Sequence, residues 1–471
     1  GTSSQKNNEI VVVFQGPWPE SKLLDATPGI QSKARRGARI AYHNDFYDLI
    51  WFSVDTSKFS DTLIIPTKRD YFEIMHPVRI RDRFYYLFQK GDTVLFTYHN
   101  DLPKPQVINR KCKFYDFGFE KKTRKLLNDY PAFAKITQAP FFIDNKRLSL
   151  ESIAAYEKQM KPVFFQEKIT QERLIDSLLG RKLISLEVAD YYQENLKNQA
   201  IWVNLKTKQS TDLSETIPRG ISDSSLYFLT AKMALGEYIY SKYDSRKSWI
   251  TTGQGSHPDF RIIFDSLIYS NVLSERQREV QLFYHIGYII KNFPVNDVQK
   301  YLNHFKKEVQ DTALVNYIKE KYGLSRSISH DLEFNNLVEQ KSSLLSLIQS
   351  KKGNILYLDF WASWCAPCRK AMKTSQRLRE EYGNKRVVFI YLSIDDDFHN
   401  WKRAAEEEQL SAYPYNYQII NRYSSKLFED LEISSIPRYL IFDKKGRLVH
   451  QNAPGPDSEA IRPLLDQYLA Q

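Results

Sequence analysis

Two cysteines separated by an alanine and a proline, Cys365-Ala366-Pro367-Cys368, are the residues of this chain best suited to chemistry. A cysteine at the first turn of a helix meets unpaired backbone N–H groups and the positive end of the helix dipole, and both stabilise a thiolate. Thiol pKa values at such places fall to roughly 3.5–7.5, so a large fraction is ionised near neutrality. Cys365 is therefore the expected nucleophile. Cys368, one helical turn on, is the expected resolving thiol: it attacks the mixed disulfide, closes a ring within the protein and releases the reduced substrate. Pro367 falls in the first turn, where its missing N–H is tolerated and its fixed φ favours helix, so it stiffens the redox loop. The reactive unit would be the Cys365-Cys368 dithiol or disulfide itself, with no other cofactor.

Other uses of a Cys-x-x-Cys pair need partners that this sequence does not offer. A zinc ion wants two more ligands. Cys112, between Lys111 and Lys113, is the only other cysteine and lies far upstream, and the nine histidines form no cluster with ligand spacing. Three cysteines are too few for a disulfide-stapled scaffold. Cys112 reads as a packed or idle thiol, and no metal site is expected. Gly253-Gln254-Gly255 has neither a preceding buried strand nor a third glycine, so it reads as a loop and not a dinucleotide site. Asp395-Asp396-Asp397 could bind a cation, but at a strand end the favoured reading is a solvated or helix-capping run.

The elements around the cysteine pair alternate between strand and helix from about 327 to 471, which predicts an α/β sheet. A strand is expected over 354–360, a helix over 366–381, a second strand over 386–394 and a charged helix over 398–409. A hairpin around Lys444-Lys445-Gly446 joins 438–443 to 447–450, and a last helix covers about 457–469.

At 471 residues the chain exceeds what one hydrophobic core normally serves, so two or three domains are expected. Residues 8–117 read as a small antiparallel β domain, with short β-prone runs such as Val11-Val12-Val13-Phe14 and Thr62-Leu63-Ile64-Ile65. Strands over 84–89 and 93–98 flank Lys90-Gly91-Asp92, a connection of hairpin length. Residues 118–326 read as a helical region. One helix starts at Ser274 with Gln277 as its capping-box partner and carries Val280, Phe283, Tyr284, Gly287 and Ile290 on one face. Another follows Asn296, with Val298, Tyr301, Leu302, Phe305 and Val309 on its stripe. These stripes are core, and no repeat period suggests a solenoid. The third domain is 327–471.

Composition narrows the function classes. Hydrophobic residues are 42% and charged residues 26%, which is too apolar for a disordered chain. The net charge of +11 comes from basic residues interleaved with acidic ones, and the densest patches, Lys33-Ala34-Arg35-Arg36 and Lys121-Lys122, are short, so nucleic acid is not an expected partner. No apolar run reaches the roughly 18 residues that span a bilayer. Gly1 in place of an initiator Met, followed by Thr2-Ser3-Ser4, reads as the trace of a trimmed amino terminus, from which an export signal would have been removed.

The segment Asp359-Phe360-Trp361-Ala362-Ser363-Trp364-Cys365-Ala366-Pro367-Cys368-Arg369 closely resembles the active-site segment of thioredoxin-like proteins of the TlpA/ResA type. Ser393-Ile394-Asp395, Trp401, Ile436-Pro437 and Asp443-Lys444-Lys445-Gly446 follow in family order, so the resemblance covers about 140 residues. It implies a thioredoxin-like α/β domain and disulfide exchange. The residue matching Asp359 is a buried acid that passes a proton to or from the resolving thiol, with a pKa raised by burial. Pro437 matches the cis-proline loop that faces the cysteines. Ile436 would offer its backbone to an extended substrate segment, and Trp364, Ala366 and Pro367 would line the same substrate surface. Longer members carry a β domain and helices ahead of the redox unit, as this chain does.

The resemblance also implies protein thiol or disulfide substrates, an upstream electron donor, and a periplasmic or cell-envelope location with lipid or amino-terminal tethering. Ala-Pro replaces the Gly-Pro of ordinary thioredoxin between the cysteines, which leaves the direction of electron flow open. The alternative from another class is a scaffold protein whose first 326 residues bind a partner or ligand and whose redox domain is accessory.

Overall fold

The structure is a computed structural model that describes residues 8–19, 38–79, 82–100, 102–111, 132–133, 136, 142–143, 146–147, 149–207, 216–243, 249–252, 255–322 and 329–471. The chain divides into two units, Gly1–Lys242 with Asn271–Gln277, and Tyr243–Ser270 with Arg278–Gln471.

In the first unit, alternation of apolar residues produces the strands. β1 (Glu9–Gln15) turns Ile10, Val12 and Phe14 inward and its other residues toward the surface, the period of two that a half-buried strand requires. It is followed by β2 (Arg39–His43), β3 (Leu49–Ser53), β4 (Ser60–Pro66), β5 (Tyr71–Arg79), β6 (Asp82–Gln89), β7 (Thr93–His99) and β8 (Leu102–Val107). These make two four-stranded sheets, β4-β1-β7-β8 and β3-β2-β5-β6. One core takes Phe14, Ile40, Phe72, Tyr86, Phe88 and Phe96 from both of them.

Two expectations for this region need correction. The segments flanking Lys90-Gly91-Asp92 do not form a hairpin, because β6 pairs with β5 whereas β7 pairs with β1 and β8. The turn instead crosses between sheets. Gly91 takes φ +88 and donates its N–H to Glu9 O at 2.8 Å, and Val11 N–H reaches Asp92 O at 3.0 Å. Those bonds draw the start of β7 alongside β1. The second correction follows: β1 and β7 run parallel, so the β region is mixed and not purely antiparallel. Strands this far apart in sequence are not held antiparallel by a tight turn.

The tiny pair β9 (Phe142–Ile143) and β10 (Lys146–Arg147) precedes the helices α1 (Leu150–Gly180), α2 (Leu186–Lys206), α3 (Thr216–Arg219) and α4 (Leu229–Tyr243). α1 and α2 share a cluster of Ile175, Leu178, Val188, Tyr192 and Leu196 with Leu87 of β6. The Tyr191 hydroxyl donates to the buried Glu73 carboxylate on β5, which further joins helix to sheet.

The second unit contains the hairpin β11 (Ile250–Thr252) and β12 (Gly255–His257), helix α5 (Phe260–Ile268), helix α6 (Glu275–Asn292), whose first residues belong to the first unit, α7 (Val295–Glu308) and α8 (Thr312–Lys321). The capping box is present: Gln277 N–H donates to Ser274 Oγ at 3.0 Å and Ser274 N–H to Gln277 Oε1 at 3.2 Å. α7 buries Val298, Tyr301, Leu302 and Phe305. α6 buries more than one face, since Leu282, Ile286 and Ile289 are buried along with Val280, Phe283 and Ile290. Gly287 faces the Tyr322 side chain closely, since a Cβ there would lie 2.5 Å from the hydroxyl and the ring would have to shift.

The remainder is a seven-stranded sheet of β13 (Glu333–Asn335), β14 (Lys341–Ser343), β15 (Ile355–Trp361), β16 (Val387–Ser393), β17 (Asn416–Ile419), β18 (Arg438–Phe442) and β19 (Leu448–His450), in the order β14-β13-β17-β16-β15-β18-β19. Its helices are α9 (Leu344–Ser350), α10 (Ala366–Glu381), α11 (Phe398–Glu407), α12 (Lys426–Asp430) and α13 (Ile461–Ala470). β15 is buried at every position, as a central strand covered on both faces must be. It lies parallel to β16 and antiparallel to β18. No helix among the described residues is long and apolar enough to cross a membrane.

Candidate functional site

β15 ends at Trp361, and four residues later Cys365 is the N-cap of α10, with φ −84 and ψ 91. The loop is set by two backbone bonds, Cys365 N–H to Ala362 O and Arg369 N–H to Cys365 O, both 3.0 Å. Cys365 and Cys368 are joined in a disulfide with their Cα atoms 5.3 Å apart, so the site is in its oxidised form. The Cys368 N–H points at Cys365 Sγ at 3.2 Å. A sulfur that takes the place of a capping oxygen at a helix start receives both an orphan donor and the dipole, which is the environment that favours a thiolate once the bond is reduced. Both cysteines are nearly buried, and the surface beside them is supplied by Trp364, at 40% exposure, with exposed Ala366 and Pro367.

Asp359 lies on β15, paired across to Tyr391 of β16 and Tyr439 of β18. It is buried, and its Oδ1 has no hydrogen-bond partner among the described residues. Burial pushes its carboxyl up to about 8. The Ile436–Pro437 peptide is cis, Ile436 is half-buried, and Pro437 is buried. Arg438, the next residue, is the register partner of Phe360. The loop before β18 and the loop after β15 that carries the cysteines therefore leave the sheet at the same end.

Two residues not expected among the site residues support this arrangement. Asp395, in the acidic run, is buried and accepts from Ser363 N–H at 2.8 Å, Ser363 Oγ at 2.6 Å and Ser393 Oγ at 2.7 Å. Its neighbours behave as the run suggested: Asp397 caps α11 by accepting from Asn400 N–H at 2.8 Å, and exposed Asp396 pairs with Arg422. Arg438 is the second, a buried guanidinium directly after Pro437. A signal for Asp395 existed in the two serines, Ser363 and Ser393, whose hydroxyls need acceptors when buried. Arg438 had no comparable signal.

Among the described residues no group of three or more His, Cys, Asp or Glu could hold a metal ion. Cys112, Gly253, Gln254 and the basic patches at 33–36 and 121–122 lie outside the described residues.

A mixed sheet flanked by helices, with a Cys-x-x-Cys disulfide capping the helix after its central strand, defines a thioredoxin-like domain of the thiol-disulfide oxidoreductase class. Residues 353–448 match the family model described as Thioredoxin-like. The Thioredoxin-like protein YneN of Bacillus subtilis (strain 168) is 30% identical over 134 residues, covering 28% of this chain and 72% of that protein. A Thiol-disulfide oxidoreductase ResA of Bacillus cereus is 25% identical over 104 residues, 22% of this chain and 57% of that protein. A solved thiol-disulfide oxidoreductase from Bacteroides fragilis NCTC 9343 aligns at 26% identity, covering 30% of this chain and 98% of that one, with a TM-score of 0.25. The chain belongs to the thioredoxin-like family, among its TlpA/ResA-like thiol-disulfide oxidoreductases. It spans little more than half the length of the ResA relative.

Proposed function

We propose that the whole chain reduces or exchanges disulfides of exported proteins, with Cys365 attacking and Cys368 resolving. In the reducing direction the Cys365 thiolate attacks one sulfur of a substrate disulfide, forming a mixed disulfide and expelling a substrate thiolate. Cys368, deprotonated, then attacks Cys365 Sγ, expelling the second substrate thiolate and leaving the Cys365–Cys368 disulfide. An upstream dithiol donor returns the pair to the reduced form. The observation that carries this reading is the sulfur of Cys365 at the N-cap of α10, bonded to Cys368 and receiving its N–H.

Asp359, with a carboxyl near 8, takes and returns the proton of Cys368 through an intervening water. Pro437 holds the ledge on which Ile436 offers its backbone to the substrate, and Trp364, Ala366 and Pro367 form the surface beside it. The ResA-like relatives support protein thiols and disulfides as substrates and favour catalysis over the scaffold reading. A periplasmic or cell-envelope location with a lipid or amino-terminal tether follows from the family resemblance.

Insulin reduction by wild type and Cys365→Ser tests the reading. Turnover by wild type alone supports it, and equal inertness of the two proteins contradicts it.

A further inference from the structure

The loop that leads into Pro437 begins at Leu431, the C-cap of α12, and its next residue, Glu432, takes a left-handed backbone with φ 45. A non-glycine residue in that region is strained and persists only where its surroundings hold it. Local bonds across the end of α12 hold that residue, Glu432 N–H to Glu429 O at 3.1 Å and Ile433 N–H to Phe428 O at 3.0 Å, and a buried cation on β18 anchors the residue before it. Arg438 is 5% exposed, and burial lowers its guanidinium to about 10, so it remains a cation at neutral pH and needs acceptors. Its Nε–H donates to Gln451 O at 2.8 Å and its Nη2–H to Leu431 O at 3.2 Å. One planar fork thus links the start of the loop to the chain just after β19.

Gln451 passes the connection on. Its side-chain amide donates to Ile290 O, and the neighbouring Asn452 Nδ2–H donates to Asn292 Oδ1 at 2.6 Å. Ile290 and Asn292 lie in the last turn of α6, where backbone carbonyls have no partner within the helix and take one from outside. Lys291, between them, pairs with Glu432 at the strained start of the loop. That pair is exposed on both sides and worth little by itself. The path from α6 through half-buried Gln451 and buried Arg438 to Leu431 is the better enclosed one.

We propose that Arg438 is a positioning residue for the Ile436–Pro437 ledge, and that the end of α6 is a brace that fixes it. The inference rests on the oxidoreductase reading above and adds that accuracy toward protein disulfides is set by a helix outside the thioredoxin-like sheet. The brace acts on docking of an extended substrate segment and leaves the reactivity of Cys365 alone. A small disulfide, which needs no ledge, does not sense it.

The test uses the full chain with Arg438→Gln, Arg438→Lys and Gln451→Ala, the last of which keeps the Arg438 bonds to backbone carbonyls and removes the Gln451 side-chain bond to Ile290 O at the end of α6. Kinetics are measured on insulin and on hydroxyethyl disulfide, and backbone hydrogen exchange is followed at 431–437. Arg438→Gln and Gln451→Ala are expected to raise KM for insulin about five- to tenfold, the size of a lost hydrogen bond or two. Their kcat and their rates on hydroxyethyl disulfide should stay within about twofold of wild type. Exchange at 431–437 should quicken while that in β15 does not. Arg438→Lys, which keeps the charge and one donor, should recover part of the KM. An unchanged insulin KM in both variants overturns the proposal, and so does an equal loss on the two disulfides, which is what general destabilisation would give. A wild type inert toward both disulfides would sink the oxidoreductase reading instead, and unchanged loop exchange in the variants would then overturn the brace on its own.

Discussion

Asp395 accepts both the backbone N–H and the hydroxyl of Ser363, at 2.8 and 2.6 Å, and so fastens the end of β16 to the loop two residues ahead of Cys365. The same carboxylate accepts from Ser393, and Gln418 Nε2 donates to the Asp395 carbonyl at 2.9 Å. The redox loop is therefore held both by its own backbone bonds and by a side chain that follows a different strand.

Asp395→Ala would leave the Ser363 N–H and two serine hydroxyls without their acceptor, at a cost of roughly 2–3 kcal/mol, since an orphaned buried donor carries its full desolvation penalty. Urea unfolding should report that loss. Alkylation of Cys365 in the reduced protein should slow several-fold, because the sulfur is no longer held at the helix start. Unaltered stability together with an unaltered alkylation rate would mean that the loop is held by other contacts.

The buried carboxyl of Asp359 gives stability a definite pH dependence. Its folded-state value of about 8 lies above the ordinary ~3.9. Between those values the folded protein binds a proton that the unfolded chain does not, so stability is greatest at and below the lower value and declines as pH rises through the upper one. Asp359→Asn, which cannot ionise, should remove that decline. Denaturant titrations at pH 5 and pH 9 are expected to give the variant an advantage on the order of 2–4 kcal/mol at the higher pH and a much smaller one at the lower. Parallel curves for the two proteins would show that Asp359 does not titrate in this window. If the proposed proton relay holds, resolution of the mixed disulfide should also slow in Asp359→Asn.

Cutting the chain at 326 should not yield a sound redox domain. The second unit includes 243–270 and 278–471, and Gln451 and Asn452 are bonded to the end of α6. A fragment of 243–471 is expected to unfold cooperatively, whereas 327–471 should melt at least several degrees lower, the shift that about 1–2 kcal/mol produces in a domain of this size. Equal melting temperatures would show that the helices add nothing to the sheet.

Much of the redox region was readable from residues alone. The helix expected over 366–381 is α10 as observed, and the strand expected over 354–360 is offset by one residue from β15. Here a run of buried apolar residues, a proline in the first helical turn and a cysteine at the cap all favour the same local structure. Agreement failed where the deciding interaction was distant. Lys90-Gly91-Asp92 has the composition of a hairpin turn, but bonds to Glu9 and Val11 send β7 to another sheet. Asp395 read as part of a solvated or helix-capping run, and only the folded chain brings the Ser363 and Ser393 hydroxyls to its carboxylate. Arg438 is the extreme case, since its acceptors on Leu431 and Gln451 are backbone carbonyls that no side-chain pattern announces.

The division of roles between the cysteines is the centre of the account, and trapping tests it most directly. Reduced Cys368→Ser protein is incubated with a protein disulfide, quenched with acid and examined by non-reducing mass spectrometry. The account predicts a mixed disulfide that accumulates on Cys365, because the thiol that would resolve it is gone, and no adduct in Cys365→Ser. An adduct on Cys368 in Cys365→Ser, with none on Cys365 in Cys368→Ser, would contradict it.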